Sequence, residues 1–192
     1  GGNFDIFASD VRATANSTNS ARAEAVAFEL NLVDIDLNER TVGTSHTTET
    51  FLGPNAMLDV TGGSITLDAD SSNNAVIDQI SPLDLGAVDL NFVTSTATAG
   101  GTTRSFVDEG GTITATGGLA ATADSDNDAR VLRFQFGASL FSLNEASPTA
   151  KTDHRTAAYV VPAAGVEPAK DVSGTIKLGG GLDLDARSTN DA

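Results

Sequence analysis

Apolar and polar residues alternate over long stretches of this chain, which is the pattern of a β-strand with one buried face. Apolar residues stand at every second position from Val26 to Leu32, and after a slip of one residue the alternation continues from Val33 to Leu37. A matching slip separates the apolar positions of Leu132–Leu140 from those of Phe141–Leu143. Because a slip of one residue turns every side chain to the other face, we predict a bulge or a corner at both places.

The motif Ala-x-Ser-x-Asn-x-Ala recurs along the chain. Its copies begin at Ala15, Ala69, Ala123 and Ala186, which are 54, 54 and 63 residues apart. A Gly-Gly turn and a short apolar strand precede each later copy, and Leu-Asn and then Thr-x-x-aromatic-aliphatic follow the first three copies. This recurring order predicts a repeat protein with units at about 9–61, 62–116 and 117–179, and with residues 180–192 starting a fourth unit.

The structure of two segments is predicted by comparing each with its counterpart in another repeat. Ala21–Leu30 is rich in residues of good helix propensity, but its counterpart Ala129–Leu140 alternates like a strand, so a strand is predicted in both units. The third unit is longer because Val161–Gly174 replaces the compact turn Val107–Gly111. Its prolines and glycines predict an exposed loop, where insertions cost little.

Short strands, Gly-Gly turns and polar motifs at a fixed spacing predict an all-β protein, a parallel β-solenoid (β-helix) built from 54-residue repeats. The expected division is three rungs of roughly 18 residues per repeat, which would make a rod roughly 50 Å long. In this interpretation the Ala-Ser-Asn-Ala motif forms a corner, where serine and asparagine side chains satisfy turn backbone groups. Two larger coils per repeat, or a stack of small β-sandwiches with one per repeat, are the alternatives.

Composition and charge narrow the functions that fit. Acidic residues outnumber basic ones by 26 to 11, which gives a formal charge of −15 and an acidic surface that would repel nucleic acid. The chain has no cysteine, so disulfides and thiolate chemistry are excluded. No apolar run approaches the roughly 20 residues of a membrane span, and no signal peptide opens the chain. We expect the sequence to be an excised segment or a mature fragment.

The order of motifs within each repeat resembles that of a known class of protein. Gly-Gly-Leu before Ala-x-Ser-x-Asn-x-Ala, then Leu-Asn, then Thr-x-x-[Phe/Tyr]-[Val/Leu], is similar to the long repeat arrays of giant bacterial surface proteins, the filamentous-haemagglutinin-like and autotransporter-type adhesins. The likeness runs from about Ser9 to Ala192. It implies an exported β-solenoid stalk at the bacterial cell surface, with a structural or adhesive role and no catalytic residues.

One acidic segment suggests a metal site. Asp124, Asp126 and Asp128 place oxygen ligands at alternate positions, as in a calcium-binding loop. The glycine and glutamate of an EF-hand are missing, and the sibling motif at Asn16 carries no carboxylate. These aspartates are the candidate Ca²⁺ ligands of the chain; turn formation is the alternative role, and no other cofactor is predicted.

The histidines are predicted to be ordinary surface residues. His46 and His154 are the only two, and they stand in different repeats, so we expect a wide separation and no two-histidine metal site. Asp153 lies beside His154, but no Gly-x-Ser-x-Gly elbow accompanies them, and a hydrolase triad is rejected.

Paired carboxylates could indicate a carbohydrate-active enzyme. Asp34 with Asp36, and Asp183 with Asp185, each point one way from a strand, as solvent-facing positions of half-buried strands do. With one tyrosine and no tryptophan for sugar contacts, the chain is predicted not to be an enzyme.

The predicted function is therefore a structural or adhesive segment of an extracellular bacterial surface filament. The alternatives are a self-assembling pilus or sheath subunit joined by edge-strand pairing, and a carbohydrate-active β-helix enzyme. The expected partners are neighbouring repeats or copies of the chain end to end, with surface polysaccharide or a host surface as further candidates.

Overall fold

The computed structural model describes residues 9–26, 33–84, 87–137, 140–160 and 174–192, and all regular structure in these ranges is β-strand. The prediction of an all-β protein is therefore confirmed. The strands are β1 (Val11–Val26), β2 (Val33–Thr44), β3 (Thr47–Leu52), β4 (Met57–Val60), β5 (Ile65–Asp84), β6 (Val88–Val107), β7 (Thr112–Ala115), β8 (Leu119–Gly137), β9 (Phe141–Val160), β10 (Thr175–Leu178) and β11 (Leu182–Asp191).

The strands form three sheets, in which every described pair is parallel. The first sheet has the order β1-β5-β8-β11, and the short strands form a second sheet in the order β4-β7-β10. In the third sheet β2 and β3 both pair with β6, which pairs with β9 on its other edge. The described residues include no helix long and apolar enough to cross a membrane.

Corresponding residues of successive repeats lie side by side. Ala15 pairs with Ala69, Ala69 with Ala123, and Ala123 with Ala186, so the spacing of the motif is also the register of the first sheet. The prediction of three rungs per repeat is wrong, because neighbouring strands are a whole repeat apart in sequence. The rod length predicted from it is wrong too, since one repeat adds one strand spacing of about 4.8 Å.

The alternative of one β-sandwich per repeat is also wrong, because the sheets run across the repeats instead of closing within each one. The arrangement is compatible with the predicted parallel β-solenoid. The strand predicted for Ala21–Leu30 is confirmed as far as Val26. The slip before Val33 and the loop 161–173 fall on residues outside the described ranges, and the slip before Phe141 falls partly on them.

The repeated motif is the inner face of a long strand and not a corner. In β5 the motif residues Ala69, Ser71, Asn73 and Ala75 are all buried, whereas the residues between them point outward. The corner prediction is wrong because serine and asparagine find their hydrogen-bond partners on neighbouring strands rather than in a local turn. Alternate burial along an extended strand follows from its period of two.

The Gly-Gly pairs do form the turns that were predicted, between each short strand and the next long one. These turns stack directly on one another, which leaves no room for a side chain. A Cβ atom on Gly117 would lie 2.7 Å from the carbonyl oxygen of Gly63, closer than real Cβ contacts. The stacking therefore requires glycine at this position, and the corresponding residues Gly62 and Gly180 are also glycine.

Two apolar clusters fill the interior. The larger lies where all three sheets meet, and it includes Val60, Ile65, Leu67, Ile113 and Leu119. The smaller lies between the first and third sheets and is mostly alanine: Ala75, Ile77, Ala97, Ala99 and Ala129. The small alanine side chains allow these two sheets to approach closely. Between the clusters the interior is polar, and the candidate site lies there.

Candidate functional site

Polar side chains from two facing sheets form a layer between the apolar clusters. We call it the polar layer, and it consists of columns of corresponding residues. From the first sheet come a serine column (Ser17, Ser71, Ser125, Ser188) and an asparagine column (Asn19, Asn73, Asn127, Asn190). From the third sheet come a threonine column (Thr48, Thr103, Thr156) and a column of His46, Gly101 and His154.

The asparagine column is a continuous chain of amide hydrogen bonds. Asn19 Nδ2 donates to Asn73 Oδ1 at 3.2 Å, Asn73 Nδ2 to Asn127 Oδ1 at 2.7 Å, and Asn127 Nδ2 to Asn190 Oδ1 at 3.0 Å. Asn73 and Asn127 are almost completely buried. Each buried amide thus accepts a hydrogen bond at its oxygen and donates one from its nitrogen. Both partners are available only because the neighbouring strands place an asparagine at the same level.

Hydroxyl groups connect the two facing sheets across the polar layer. The Ser71 and Thr103 hydroxyls share a hydrogen bond of 2.6 Å, and those of Ser125 and Thr156 share one of 2.7 Å. The Ser105 hydroxyl donates to the Leu67 carbonyl oxygen at 2.9 Å. The layer is therefore a set of specific cross-links, which fix the register of one sheet against the other.

The structure brings the two histidines together, so the prediction of a wide separation is wrong. Their ring centroids are 5.4 Å apart, with an angle of 30° between the ring planes. His154 is paired with Gly101, and the Thr102 amide next to Gly101 donates to the His46 carbonyl oxygen at 2.8 Å. His154 lies on β9 and His46 lies between β2 and β3, two strand spacings away, and the rings can approach because Gly101 between them has no side chain.

Gly101 is required at this position for two reasons. Its φ of 141° is a conformation that L-residues rarely adopt. A Cβ atom there would lie 2.5 Å from the His46 carbonyl oxygen and 2.9 Å from His46 Nδ1. Any other residue would therefore enter the space that separates the two imidazoles.

Burial lowers the pKa of both histidines below the ordinary value of 6.5. For His154 the nearby His46 lowers the pKa further, whereas a hydrogen bond to the Gly100 backbone raises the pKa of both rings. The lowered pKa favours the neutral form of each ring, which has one N–H and one nitrogen with a lone pair.

Few polar atoms of the pair have side-chain partners. His154 Nε2 shares a hydrogen bond of 2.8 Å with the Thr103 hydroxyl. Within the described part of the chain, His154 Nδ1 and both ring nitrogens of His46 are buried with no partner other than the Gly100 backbone, and the flanking Thr44 and Thr48 hydroxyls are buried without a hydrogen bond. The prediction that these histidines are ordinary surface residues is wrong, since both face the polar layer.

The predicted calcium ligands lie elsewhere, on the outer face of β8. Asp128 forms an ion pair with Arg130 at 2.7 Å, and Asp124 pairs in register with Asp70 on β5. Asp70, Asp124 and Asp126 line an open groove of about 290 Å³, and burial with repulsion from Asp68 and Asp124 raises the pKa of Asp70. No group of three or more His, Asp or Glu side chains able to hold a metal occurs in the described ranges. Calcium binding at Asp124, Asp126 and Asp128 remains a prediction.

The other singled-out carboxylates are surface groups where they are described. Asp183 is exposed and Asp185 forms an ion pair with Arg187, whereas the side chains of Asp34 and Asp36 fall outside those the structure describes. Asp153 points outward and pairs with Lys151 at 2.8 Å. It therefore leaves the strand on the face opposite to His154.

The Thr-x-x-aromatic motif forms a stacked column on the outer face of the third sheet. The rings of Phe51 and Phe106 are 5.1 Å apart, and those of Phe106 and Tyr159 are 5.0 Å apart, all nearly parallel. Arg104 lies 5.5 Å from the centre of the Phe106 ring and forms an ion pair with Glu49. Sequence reasoning identified these landmarks but not their stacking.

Comparison of the chain with protein-family models, with curated proteins and with solved structures finds no match. The resemblance to bacterial adhesin repeats therefore remains a prediction.

Proposed function

We propose that this chain is a segment of a parallel β-solenoid with one turn per 54-residue repeat, and that it serves as a structural or adhesive part of an extracellular bacterial surface filament, without catalysis. The observation that carries the proposal is the in-register stacking of the Ala-Ser-Asn-Ala motif on four successive strands. A fold in which each turn supports the next can be lengthened by copying the repeat.

The interior of the described residues supports a structural role. Beside the aliphatic cluster, it is filled by alanine, serine, asparagine and threonine columns that repeat from strand to strand. Buried amide and hydroxyl ladders fix one register between neighbouring turns, which keeps a long rod regular.

The composition supports a location outside the cell. A formal charge of −15 keeps the surface hydrated, and the lack of cysteine avoids stray thiols during export. The resemblance between the motif order of this chain and that of adhesin repeat arrays also supports a location outside the cell.

Immunogold electron microscopy of the source cells, with an antibody raised against this segment, tests the proposal. Gold particles along extended surface fibres are expected. Gold confined to the cell interior, or spread over the envelope without fibres, would overturn the surface-filament role.

A self-assembling subunit is the second candidate, because β1 and β11 form the two edges of the first sheet within the described residues. Unpaired strand edges favour addition of another strand. If this candidate is correct, the purified chain forms filaments as its concentration rises in sedimentation and electron microscopy. The third predicted function, a carbohydrate-active enzyme, is tested by sugar release from extracellular polysaccharides.

A further inference from the structure

The histidine pair in the polar layer has features that the structural role does not need. The asparagine and serine columns satisfy their own polar atoms, whereas among the described residues three of the four imidazole nitrogens are buried with no partner but the Gly100 backbone, and the neighbouring Thr44 and Thr48 hydroxyls have none. Buried unpaired polar atoms are rare in folded proteins, and an ion or a water molecule is a common reason for them.

The separation of the rings fits two ligands of one metal ion. A metal–nitrogen bond of about 2.0–2.1 Å puts a zinc-like ion about 3.2 Å from the centre of an imidazole ring, so two imidazoles at a tetrahedral angle have centres about 5.2 Å apart. The centroids of His46 and His154 are 5.4 Å apart. The His46 ring lies over Gly101 and takes the space that a side chain there would fill, which brings it toward His154.

The surroundings of the rings also suit ligation. The Thr103 hydroxyl holds His154 Nε2, which orients that ring and leaves Nδ1 available. The hydroxyls of Thr44 and Thr48 flank His46 on the same inner face without a hydrogen bond to any described residue, and both side chains are more than nine-tenths buried. They provide oxygen atoms near the pair without adding a charge.

We propose that His46 and His154 bind one divalent transition-metal ion of the zinc, nickel or copper class between the first and third repeats. Imidazole nitrogen prefers these ions, whereas calcium and magnesium prefer oxygen ligands. Hydroxyl oxygen or water fills the remaining coordination positions. The ion would join strands that are not neighbours, and so tie β9 to the segment between β2 and β3.

The test uses the chain without a histidine tag, freed of metal with EDTA and titrated with ZnCl₂ or NiCl₂ by isothermal calorimetry at neutral pH. We expect one site per chain. His46→Gln and His154→Gln should each weaken binding by about tenfold or more. Loss of a group that only hydrogen-bonds to a metal ligand already costs about tenfold in affinity, and loss of the ligand itself should cost at least as much. The matched control is the triple variant Asp124→Asn, Asp126→Asn, Asp128→Asn, which should change the affinity by less than about twofold, because surface carboxylates outside the ligand set act only through the screened field.

A second measurement does not depend on how the variants fold. Addition of zinc to the unaltered chain should shift the ¹⁵N resonances of both imidazoles in long-range ¹H–¹⁵N spectra. Absence of binding, shifts in only one ring, or an affinity that falls with the aspartates and not with the histidines would overturn the proposal.

Discussion

Replacement of Asn73 by alanine is the sharpest test of the amide ladder. Asn73 accepts a hydrogen bond from Asn19 and donates one to Asn127, and its side chain is almost completely buried. The next residue, Asn74, is exposed on the outer face of the same strand. Asn74→Ala is therefore a control with the same chemistry one position away.

The expected loss follows from the groups left behind. Asn19 keeps a hydrogen bond to Ser17 at 2.7 Å, so its amide remains satisfied. Asn127 Oδ1 loses Asn73 Nδ2, its donor among the described residues, and stays buried, which costs about 1–3 kcal/mol. The space left by the carboxamide adds about 1 kcal/mol. The total is about 2–4 kcal/mol, against less than about 0.5 kcal/mol for Asn74→Ala.

Urea unfolding at 25 °C, followed by far-UV circular dichroism, measures both variants against the original chain. The account predicts a clear fall in the unfolding midpoint for Asn73→Ala and almost none for Asn74→Ala. Equal midpoints for the two variants would refute the argument that the ladder is a buried, continuous network.

Three further predictions concern other parts of the molecule. Gly101→Ala should lower the free energy of unfolding by about 1–3 kcal/mol in the same urea assay, because of the positive φ and the contact with the His46 carbonyl; an unchanged midpoint would contradict the geometry. Phe106→Ala should cost about 3 kcal/mol and Phe51→Ala about 1 kcal/mol, because Phe106 is buried between two rings while Phe51 is 49% exposed; equal losses would argue against the stacked column. The raised pKa of Asp70 means that the folded chain binds its proton more tightly than the unfolded chain does, so the Asp70 charge lowers stability above pH 3.8 and this cost disappears as pH falls. Asp70→Asn should therefore raise the melting temperature at pH 7 but not at pH 3, and a gain that persists at pH 3 would exclude this cause.

The sequence predicted the strand class and the spacing of the repeat, because both depend on local alternation and on self-similarity. It did not predict the number of turns per repeat, which is one and not three. Serine and asparagine usually satisfy backbone groups in turns, so the motif from Ala69 to Ala75 was interpreted as a corner. Burial of Ser71 and Asn73 becomes favourable only when the neighbouring strands bring identical side chains to the same level, and that partnership is absent from any single segment.

The histidine pair was missed for the same reason, although the sequence does contain a signal for it. Each repeat carries a Thr-x-x-aromatic landmark, and His46, Gly101 and His154 all stand two residues before the threonine of that landmark. Aligning the repeats on the landmark places the three in one column. With three rungs per repeat this column would separate the rings widely, whereas with one turn per repeat corresponding residues lie on neighbouring strands and the rings come together.

Disulfide formation between engineered cysteines tests the in-register stacking most directly, because the chain has no cysteine of its own. Ser72 and Asp126 are paired neighbours on β5 and β8, and both are exposed. Thr18 on β1 lies in the same column and is two strand spacings from Asp126. Adjacent strands put the paired Cα atoms about 4.8 Å apart, within disulfide reach, and two spacings exceed it. After mild oxidation and tryptic mass spectrometry, the account predicts a cross-link in Ser72→Cys with Asp126→Cys and none in Thr18→Cys with Asp126→Cys; the reverse pattern, or no cross-link in either, would contradict it.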